Sequence, residues 1–330
     1  MASFYRRLAV LVTLVVGISG AVIYFTLDVH TLHNLTAFQP WSLLLVAGLM
    51  AVGMYFDGTR LLHLVHIAGQ RISLLEAVQV IFSNYFLALL TPGAAGGAVA
   101  QVMFLRRAGV PTGIATVVVL IRTVMSLLVL FVCLPAVFFY DPGLLPWIPP
   151  QLLIAVSLLM VGGCGLAVWF LRSPASVRLL VALTKRVRPT WRKRIFVLYR
   201  DTRGAVSMLA AAPLSMLRVF AESAASLLAL YSMVPVLFLG LGITVDWPLI
   251  LGRMVFLNII LYFAPTPGGS GIAEGGFVLL FNELLPPGTV GVLAVAWRIV
   301  AEYFPFAIGL YFTIKTFGQD FLLKQLNRRT

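Results

Sequence analysis

The chain has 330 residues, of which 61% are hydrophobic and 11% are charged, and its mean hydropathy is +1.01. This composition excludes a soluble globular protein and indicates a helical protein that crosses a membrane several times. The net charge of +13 does not point to nucleic acid, because the lysines and arginines flank apolar segments, as they do in membrane proteins.

Eight apolar segments follow one another along the chain, and six of them are continuous. Stretches of this length are sufficient to cross a bilayer as helices. The predicted spans lie at 8–27, 41–62, 113–140, 151–171, 211–239 and 289–314. The first follows two arginines but is too long for the apolar region of a signal peptide, so we interpret it as a span.

The other two apolar segments, at 74–105 and 249–282, are interrupted by glycine and proline. Both residue types disfavour a continuous helix. Beyond the first break only about eight apolar residues precede Arg106, and at about 1.5 Å per residue this arm is too short to cross a bilayer. We interpret both segments as re-entrant helical hairpins, and two full spans in each place is the alternative.

The two breaks carry related motifs. The first reads Thr91-Pro-Gly-Ala-Ala-Gly-Gly-Ala and the second, 175 positions on, reads Thr266-Pro-Gly-Gly-Ser-Gly-Ile-Ala. Further landmarks recur at nearly the same spacing, which indicates an internal duplication. Repeat 1 is predicted at 1–140 and repeat 2 at 151–317, and each contains two spans, a hairpin and a third span.

The basic residues predict the orientation of the chain. With both termini in the cytoplasm, every lysine and arginine outside the apolar segments falls on the cytoplasmic side. The first hairpin then opens to the cytoplasm and the second to the outside, so the repeats are inverted. Repeat 2 also carries an insert at 172–203 with ten basic residues. This insert is either an ordinary cytoplasmic loop or an amphipathic helix on anionic lipid.

Broken apolar segments in corresponding halves of a membrane protein indicate a substrate site near the bilayer midplane. The helix after each break begins with unpaired N–H groups, and these groups and the helix dipole favour an anion such as phosphate. Glycine allows close approach of the backbone to such a ligand, and threonine adds a hydroxyl donor. The candidate substrate-binding residues of the breaks are Thr91, Gly93, Gly96, Gly97, Thr266, Gly268, Gly269 and Gly271. The alternative roles are close helix packing for the glycines and capping for the threonines.

Two arginines, Arg122 and Arg298, lie at equivalent depths in the spans of the two repeats. A charge at such depth is costly unless it is paired or hydrated, and the planar guanidinium suits phosphate. Arg298 precedes Glu302 by one turn, as Arg218 precedes Glu222, so each pair forms either an intrahelical ion pair or part of a binding site. Arg122 has no acidic residue within one turn, so its partner comes from elsewhere, and a ligand is one candidate.

Three further charged positions carry expectations. Glu274 lies three residues after Gly271, where it caps a helix, pairs with an arginine or carries a coupling proton. We expect Arg253 to extend toward the membrane surface. We expect Asp57 to be solvated or paired with Arg60.

Signatures of catalysis are missing from the sequence. It contains no HExxH, GxSxG or P-loop motif, and His63 and His66 have no third ligand nearby with which to bind a metal ion. We therefore expect no enzymatic activity, no cofactor and no metal site.

At these motifs the chain resembles the lysylphosphatidylglycerol synthase transmembrane region family, also called flippase-like membrane proteins, over roughly Met1 to Phe317. The resemblance rests on Leu90-Thr-Pro-Gly, on Phe104-Leu-Arg-Arg-Ala-Gly-Val-Pro and on Pro265-Thr-Pro-Gly-Gly-Ser-Gly-Ile-Ala-Glu. It implies a multi-pass protein of the inner membrane that moves a lipid between leaflets.

The chain differs from the family pattern in two respects. The synthases have a separate cytosolic domain that makes an aminoacylated phosphatidylglycerol, and this sequence shows no such domain, so we expect no aminoacylation and do not transfer that substrate. The first motif has Gly97-Ala-Val-Ala-Gln101 where the family often has an acidic residue.

Together these observations predict an all-α polytopic membrane protein that transports lipid across the bilayer and binds an anionic phospholipid head group at the midplane. An ion-coupled transporter of a soluble anion and a membrane scaffold for a partner enzyme are the alternatives. The expected partners are membrane phospholipid and a lipid-modifying enzyme, not nucleic acid.

Overall fold

A computed structural model describes residues 38–91, 93, 95–144, 149–185, 188–286 and 288–326. Within these ranges the chain folds into helices and connecting turns without a β-strand. The predicted span at 8–27 lies outside the described residues. We number the helices from the first one that the structure describes.

Thirteen α-helices follow one another in the described part of the chain. They are α1 (Pro40–Ile67), α2 (Leu74–Leu90), α3 (Ala95–Arg107), α4 (Thr112–Tyr140), α5 (Pro150–Arg172), α6 (Pro174–Thr184), α7 (Pro189–Ala210), α8 (Pro213–Tyr231), α9 (Met233–Gly240), α10 (Trp247–Tyr262), α11 (Ile272–Phe281), α12 (Thr289–Arg298) and α13 (Phe304–Leu326). A short 3₁₀ turn follows α11, and a π-helical segment, Ile299–Tyr303, joins α12 to α13.

Five helical stretches are long and apolar enough to cross a membrane. They are Pro40–Ile67, Thr112–Tyr140, Ile154–Arg172, Pro213–Gly240 and Thr289–Thr316. Each contains most or all of one span predicted between residues 41 and 314. The prediction of an all-α polytopic membrane protein is therefore confirmed.

Both interrupted segments consist of two short helices separated by a turn. In the first, α2 has 17 residues, and in the second, α10 has 16 residues. At 1.5 Å per residue these helices extend about 25 Å, which is less than the roughly 30 Å of a hydrocarbon core. The predicted interruptions are confirmed, and the re-entrant path and the inverted repeats stay predictions.

Two apolar clusters form most of the core, and α1 and α4 contribute to both. Met50 and Leu130 belong to the cluster that includes α8 to α12, whereas Leu64 and Val118 belong to the cluster that includes α2, α3 and α7. Between the two clusters both helices bury polar and charged side chains. The fold therefore encloses a polar layer between two apolar ones.

The basic insert folds into two helices, α6 and α7. The last turns of α7 pack into the second cluster, and Asp201 lies against Gly113 at the start of α4, where a Cβ atom on the glycine would be 2.4 Å from the Asp201 Cβ. Trp191 and Val197 are exposed on α7. The helical structure favours the amphipathic-helix interpretation over the loop, and contact with anionic lipid stays a prediction.

Candidate functional site

The first charged group of the polar layer consists of Asp57, Arg60 and Arg122, which we call the arginine cluster. Arg60 lies 2.5 Å from Asp57 Oδ1, and Arg122 Nη2 donates to Asp57 Oδ2. Arg60 Nη1 also donates to the hydroxyls of Ser126 and Ser223, at 2.7 and 3.1 Å. All three charged residues are buried, so Asp57 is paired as expected and is not solvated. Two guanidinium groups share one carboxylate, which leaves a formal charge of +1.

Arg122 also connects α4 to the first hairpin. Its Nη1 donates to Gln101 Oε1 at 2.6 Å, and Gln101 Nε2 donates to Asn84 Oδ1 at 2.7 Å. Its Nε is buried and makes no hydrogen bond within the described part of the chain. A buried guanidinium N–H without an acceptor is costly, and it suits an anionic ligand. Because Gln101 is neutral, the excess positive charge of the arginine cluster is retained.

The second charged group consists of Arg298, Glu274 and Glu302, which we call the glutamate cluster. Arg298 Nε lies 3.1 Å from Glu274 Oε1, and Nη1 is paired with Glu302 Oε2. Both Nη groups donate to the Gly268 carbonyl at 3.2 Å. Glu274 also accepts the Gly271 N–H at 2.8 Å, so it caps α11 and pairs with an arginine. Two carboxylates share one guanidinium, which leaves a formal charge of −1.

Burial distinguishes the members of the glutamate cluster. The side chains of Arg298 and Glu274 are 0% and 1% exposed, whereas that of Glu302 is 22% exposed. Glu302 lies on the π-helical segment, a geometry that is frequent at functional sites. The Tyr303 ring on the same segment lies 5.6 Å from the Arg298 guanidinium carbon. Glu302 is therefore the member of the cluster that is accessible to a ligand.

The two hairpin breaks contact each other. The Gly93 N–H donates to the Ala264 carbonyl at 3.1 Å. Gly268 has a φ of +57°, and a Cβ atom there would lie 2.4 Å from the Leu89 side chain. Only glycine combines this backbone conformation with so close an approach. The predicted breaks therefore meet in the interior of the protein.

Three of the predicted residues of the first break have structural roles. Thr91 Oγ1 donates to the Leu87 carbonyl and accepts the Gly96 N–H, each at 2.8 Å. A Cβ atom at Gly97 would lie 2.4 Å from Asn84 Oδ1. Capping and close packing, the alternative roles, thus account for Thr91, Gly96 and Gly97, and none of the three lines the cavity described below.

In the second break Thr266 and Ser270 differ from Thr91. Their hydroxyl oxygens are buried and have no hydrogen-bond partner within the described residues. The Thr266 hydroxyl therefore does not cap a neighbouring backbone group, as the Thr91 hydroxyl does.

The arginine cluster and Glu302 line one cavity of about 400 Å³. Five of the predicted residues line it, namely Gly93, Arg122, Gly268, Gly269 and Glu302. Polar and aromatic lining residues that the sequence analysis did not assign to the site include Asp57, Arg60, Asn84, Tyr85, Gln101, Ser126, Tyr231, Asn258, Tyr262 and Trp297. The signal for Asp57 and Arg60 is an acid and a base one turn apart inside an apolar span. Arg298, Glu274, Gly271 and Thr266 are not part of the lining.

The other two predicted residues, Arg218 and Glu222, pair with each other outside the cavity lining. Arg218 Nε lies 3.2 Å from Glu222 Oε1, Glu222 Oε2 lies 2.9 Å from His63 Nδ1, and the Arg218 side chain is 66% exposed. The two charges neutralise each other, so this pair is the intrahelical ion pair that the sequence analysis gave as one alternative. Arg253 Nε is bound to Asp141 Oδ2 at 2.8 Å, just after the end of α4, and its side chain is 14% exposed. Its extension toward the membrane surface stays a prediction.

Comparisons with known proteins agree with this architecture. A family model described as "Lysylphosphatidylglycerol synthase TM region" matches residues 10–309. A protein of Archaeoglobus fulgidus, described as a UPF0104 membrane protein, is 24% identical over 273 residues, which cover 80% of this chain and 83% of that protein. The family match includes both hairpins, both charged clusters and the cavity. The chain therefore belongs to the lysylphosphatidylglycerol synthase TM region family.

Proposed function

We propose that the protein moves a phospholipid between the leaflets of the cytoplasmic membrane and binds the anionic head group in the central cavity. One observation carries the proposal, namely the excess positive charge of the arginine cluster at a cavity between two helix breaks. The buried Nε–H of Arg122 is a further donor at this place.

The charges of the arginine cluster support an anionic ligand. A charge within a membrane span costs several kcal/mol unless it is compensated, and such residues in membrane proteins mark substrate pathways. Asp57 compensates only one of the two guanidinium groups. A phosphate supplies the second negative charge and accepts hydrogen bonds in the planar geometry of arginine.

The cavity volume supports recognition of the head group alone. About 400 Å³ lies at the lower end of the range for small-molecule sites, roughly 300–1,000 Å³. In the proposal the head group enters the cavity and the acyl chains remain in the bilayer. The hairpins belong to inverted repeats that rock against each other and so expose the site to one leaflet at a time.

The proposal is tested with purified protein in liposomes that contain phosphatidylglycerol labelled on an acyl chain. A membrane-impermeant quencher then reports how fast label from the inner leaflet reaches the outer one. Wild type is compared with Arg122→Gln and Arg122→Lys, and Arg71→Gln is the control because Arg71 is exposed and does not line the cavity. We expect transport by wild type and the control, reduced transport by the lysine variant, and loss in the glutamine variant.

The same liposomes distinguish the lipid from a soluble anion, which would fit the same cavity. Equal transport by wild type and a folded Arg122→Gln variant refutes the site. Uptake of glycerol phosphate without lipid transport instead favours a transporter of soluble anions.

A further inference from the structure

The two charged clusters face one cavity with opposite formal charges. The two clusters together contain three guanidinium groups and three carboxylates, so their formal charges sum to zero, but each cluster by itself is charged. The arginine cluster has two guanidinium groups and one carboxylate, and the glutamate cluster has the reverse. In the absence of ligand, each excess charge has its counter-charge in the other cluster.

Glu302 carries the excess negative charge toward the cavity. Both carboxylate oxygens of Glu274 have a partner, since one is paired with Arg298 and the other accepts the N–H of Gly271. Within the part of the chain that the structure describes, the charged partner of Glu302 is Arg298, which is already paired with Glu274. Glu302 also lines the cavity, whereas Glu274 does not.

This inference rests on the proposed function. A phosphate bound at the arginine cluster neutralises the excess positive charge there and thereby removes the counter-charge of Glu302. An unpaired carboxylate in a site of low dielectric constant is strongly disfavoured. With the phosphate bound, the charged groups around the cavity carry one negative charge more than positive charges, and this excess lies on Glu302.

We propose that Glu302 takes up a positive charge whenever the arginine cluster binds a head-group phosphate. Where the head group has an ammonium, that ammonium supplies the charge. Where it has none, a proton from water adds to a Glu302 carboxylate oxygen to form the neutral acid and is released when the lipid leaves. The only bond that forms or breaks is O–H.

The groups around Glu302 are consistent with this role. Directly adjacent are Arg298 and, beyond it, Glu274, and the charged members of the arginine cluster line the same cavity. The side chains of Tyr85, Tyr231 and Tyr262 line the same cavity. Among the described residues, Asp57, held by two arginines, is the one other acid that lines the cavity.

The experiment measures proton uptake when short-chain lipids bind to the full chain in detergent, in weakly buffered solution with a pH indicator. Short-chain phosphatidylglycerol supplies a phosphate without an ammonium, and short-chain phosphatidylethanolamine supplies both. We expect about one proton per bound phosphatidylglycerol and none per bound phosphatidylethanolamine. By linkage, affinity for phosphatidylglycerol then falls by up to about tenfold for each unit of rise in pH.

Variants assign the proton to its residue. With Glu302→Gln we expect phosphatidylglycerol to bind without proton uptake and independently of pH, and phosphatidylethanolamine to bind more weakly than to wild type. Glu302→Asp keeps the carboxylate and is expected to keep proton uptake, and Glu283→Gln, at an exposed acid, serves as the control. Arg298 retains Glu274 and the Gly268 carbonyl in the glutamine variant, and thermal unfolding checks that the variant is folded.

Two outcomes overturn the inference and leave the proposed function intact. One is binding of phosphatidylglycerol by wild type without proton uptake, and the other is unchanged uptake in Glu302→Gln. If wild type neither binds nor transports either lipid, the proposed function is refuted, and the inference falls with it.

Discussion

Substitution of Asp57 is expected to destabilise the buried polar layer, because this carboxylate balances the charge of two guanidinium groups. Of the described carboxylates, it alone pairs with Arg60 and Arg122, and the three side chains are 5% to 7% exposed. Asp57→Asn leaves two buried guanidinium groups without a counter-charge. Removal of one partner from a buried ion pair costs about 3–5 kcal/mol, and we expect the free energy of unfolding to fall by this amount.

Arg122→Gln is expected to cost less, although it alters the same contact. It leaves Asp57 and Arg60 as a balanced pair with the hydroxyls of Ser126 and Ser223 still bound. The loss is then that of hydrogen bonds to a charged group, about 1.5–3 kcal/mol. The double variant restores a formal charge of +1, so its destabilisation is expected to be smaller than the sum by roughly 1–3 kcal/mol.

These values are measured by unfolding the four proteins in mixed micelles with increasing fractions of a denaturing detergent. Glu283→Gln, at an exposed position, controls for the general effect of removing a carboxylate. Additive single effects, or a greater loss from Arg122→Gln than from Asp57→Asn, would show that charge balance does not control the stability of this layer.

Three further predictions test the surroundings of the site. Gly97→Val places a branched side chain where even a Cβ atom would lie 2.4 Å from Asn84 Oδ1. We expect the free energy of unfolding to fall by about 1–3 kcal/mol or more. Thermal unfolding measures this, and an unchanged midpoint contradicts the close packing. Gly113→Leu should displace α7 from α4, because Asp201 occupies the space, and limited proteolysis should then cut α7 faster than in wild type. Gln101→Glu adds a carboxylate to the arginine cluster and cancels its excess charge, so transport of phosphatidylglycerol in the quenching assay should fall about tenfold or more, as expected for a loss of about 1.4 kcal/mol or more in binding. Unchanged transport in that variant would argue against an electrostatic role of the cluster.

The linear sequence was sufficient for the class of fold. Long apolar runs predict membrane-spanning helices because a helix satisfies its own backbone hydrogen bonds in lipid. The two interruptions could also be predicted from the sequence, because glycine and proline disfavour a continuous helix regardless of tertiary context. The pairs formed by Arg298 with Glu302 and by Arg218 with Glu222 depend only on helical periodicity, and both are present in the structure.

Contacts between distant segments could not be predicted from the sequence. Asp57 and Arg122 are 65 positions apart and Glu274 and Arg298 are 24 positions apart, so no local rule pairs them. The same applies to Arg253, whose partner Asp141 lies 112 positions away. Such pairs are set by how the helices pack, and the packing also decides that Gly96 and Gly97 contact a neighbouring helix and not the cavity.

The sequence by itself therefore determined the helices, their interruptions and the presence of charges within them, since these follow from the hydropathy and backbone preferences of neighbouring residues. Only the tertiary structure decided how those charges are shared. Packing brings Arg122 to the carboxylate that Arg60 already binds, and Glu274 to the guanidinium that Glu302 already binds. The physical reason is that buried charges must find partners in space, and only the packing of the helices decides which distant charges, such as Asp57 and Arg122, come together.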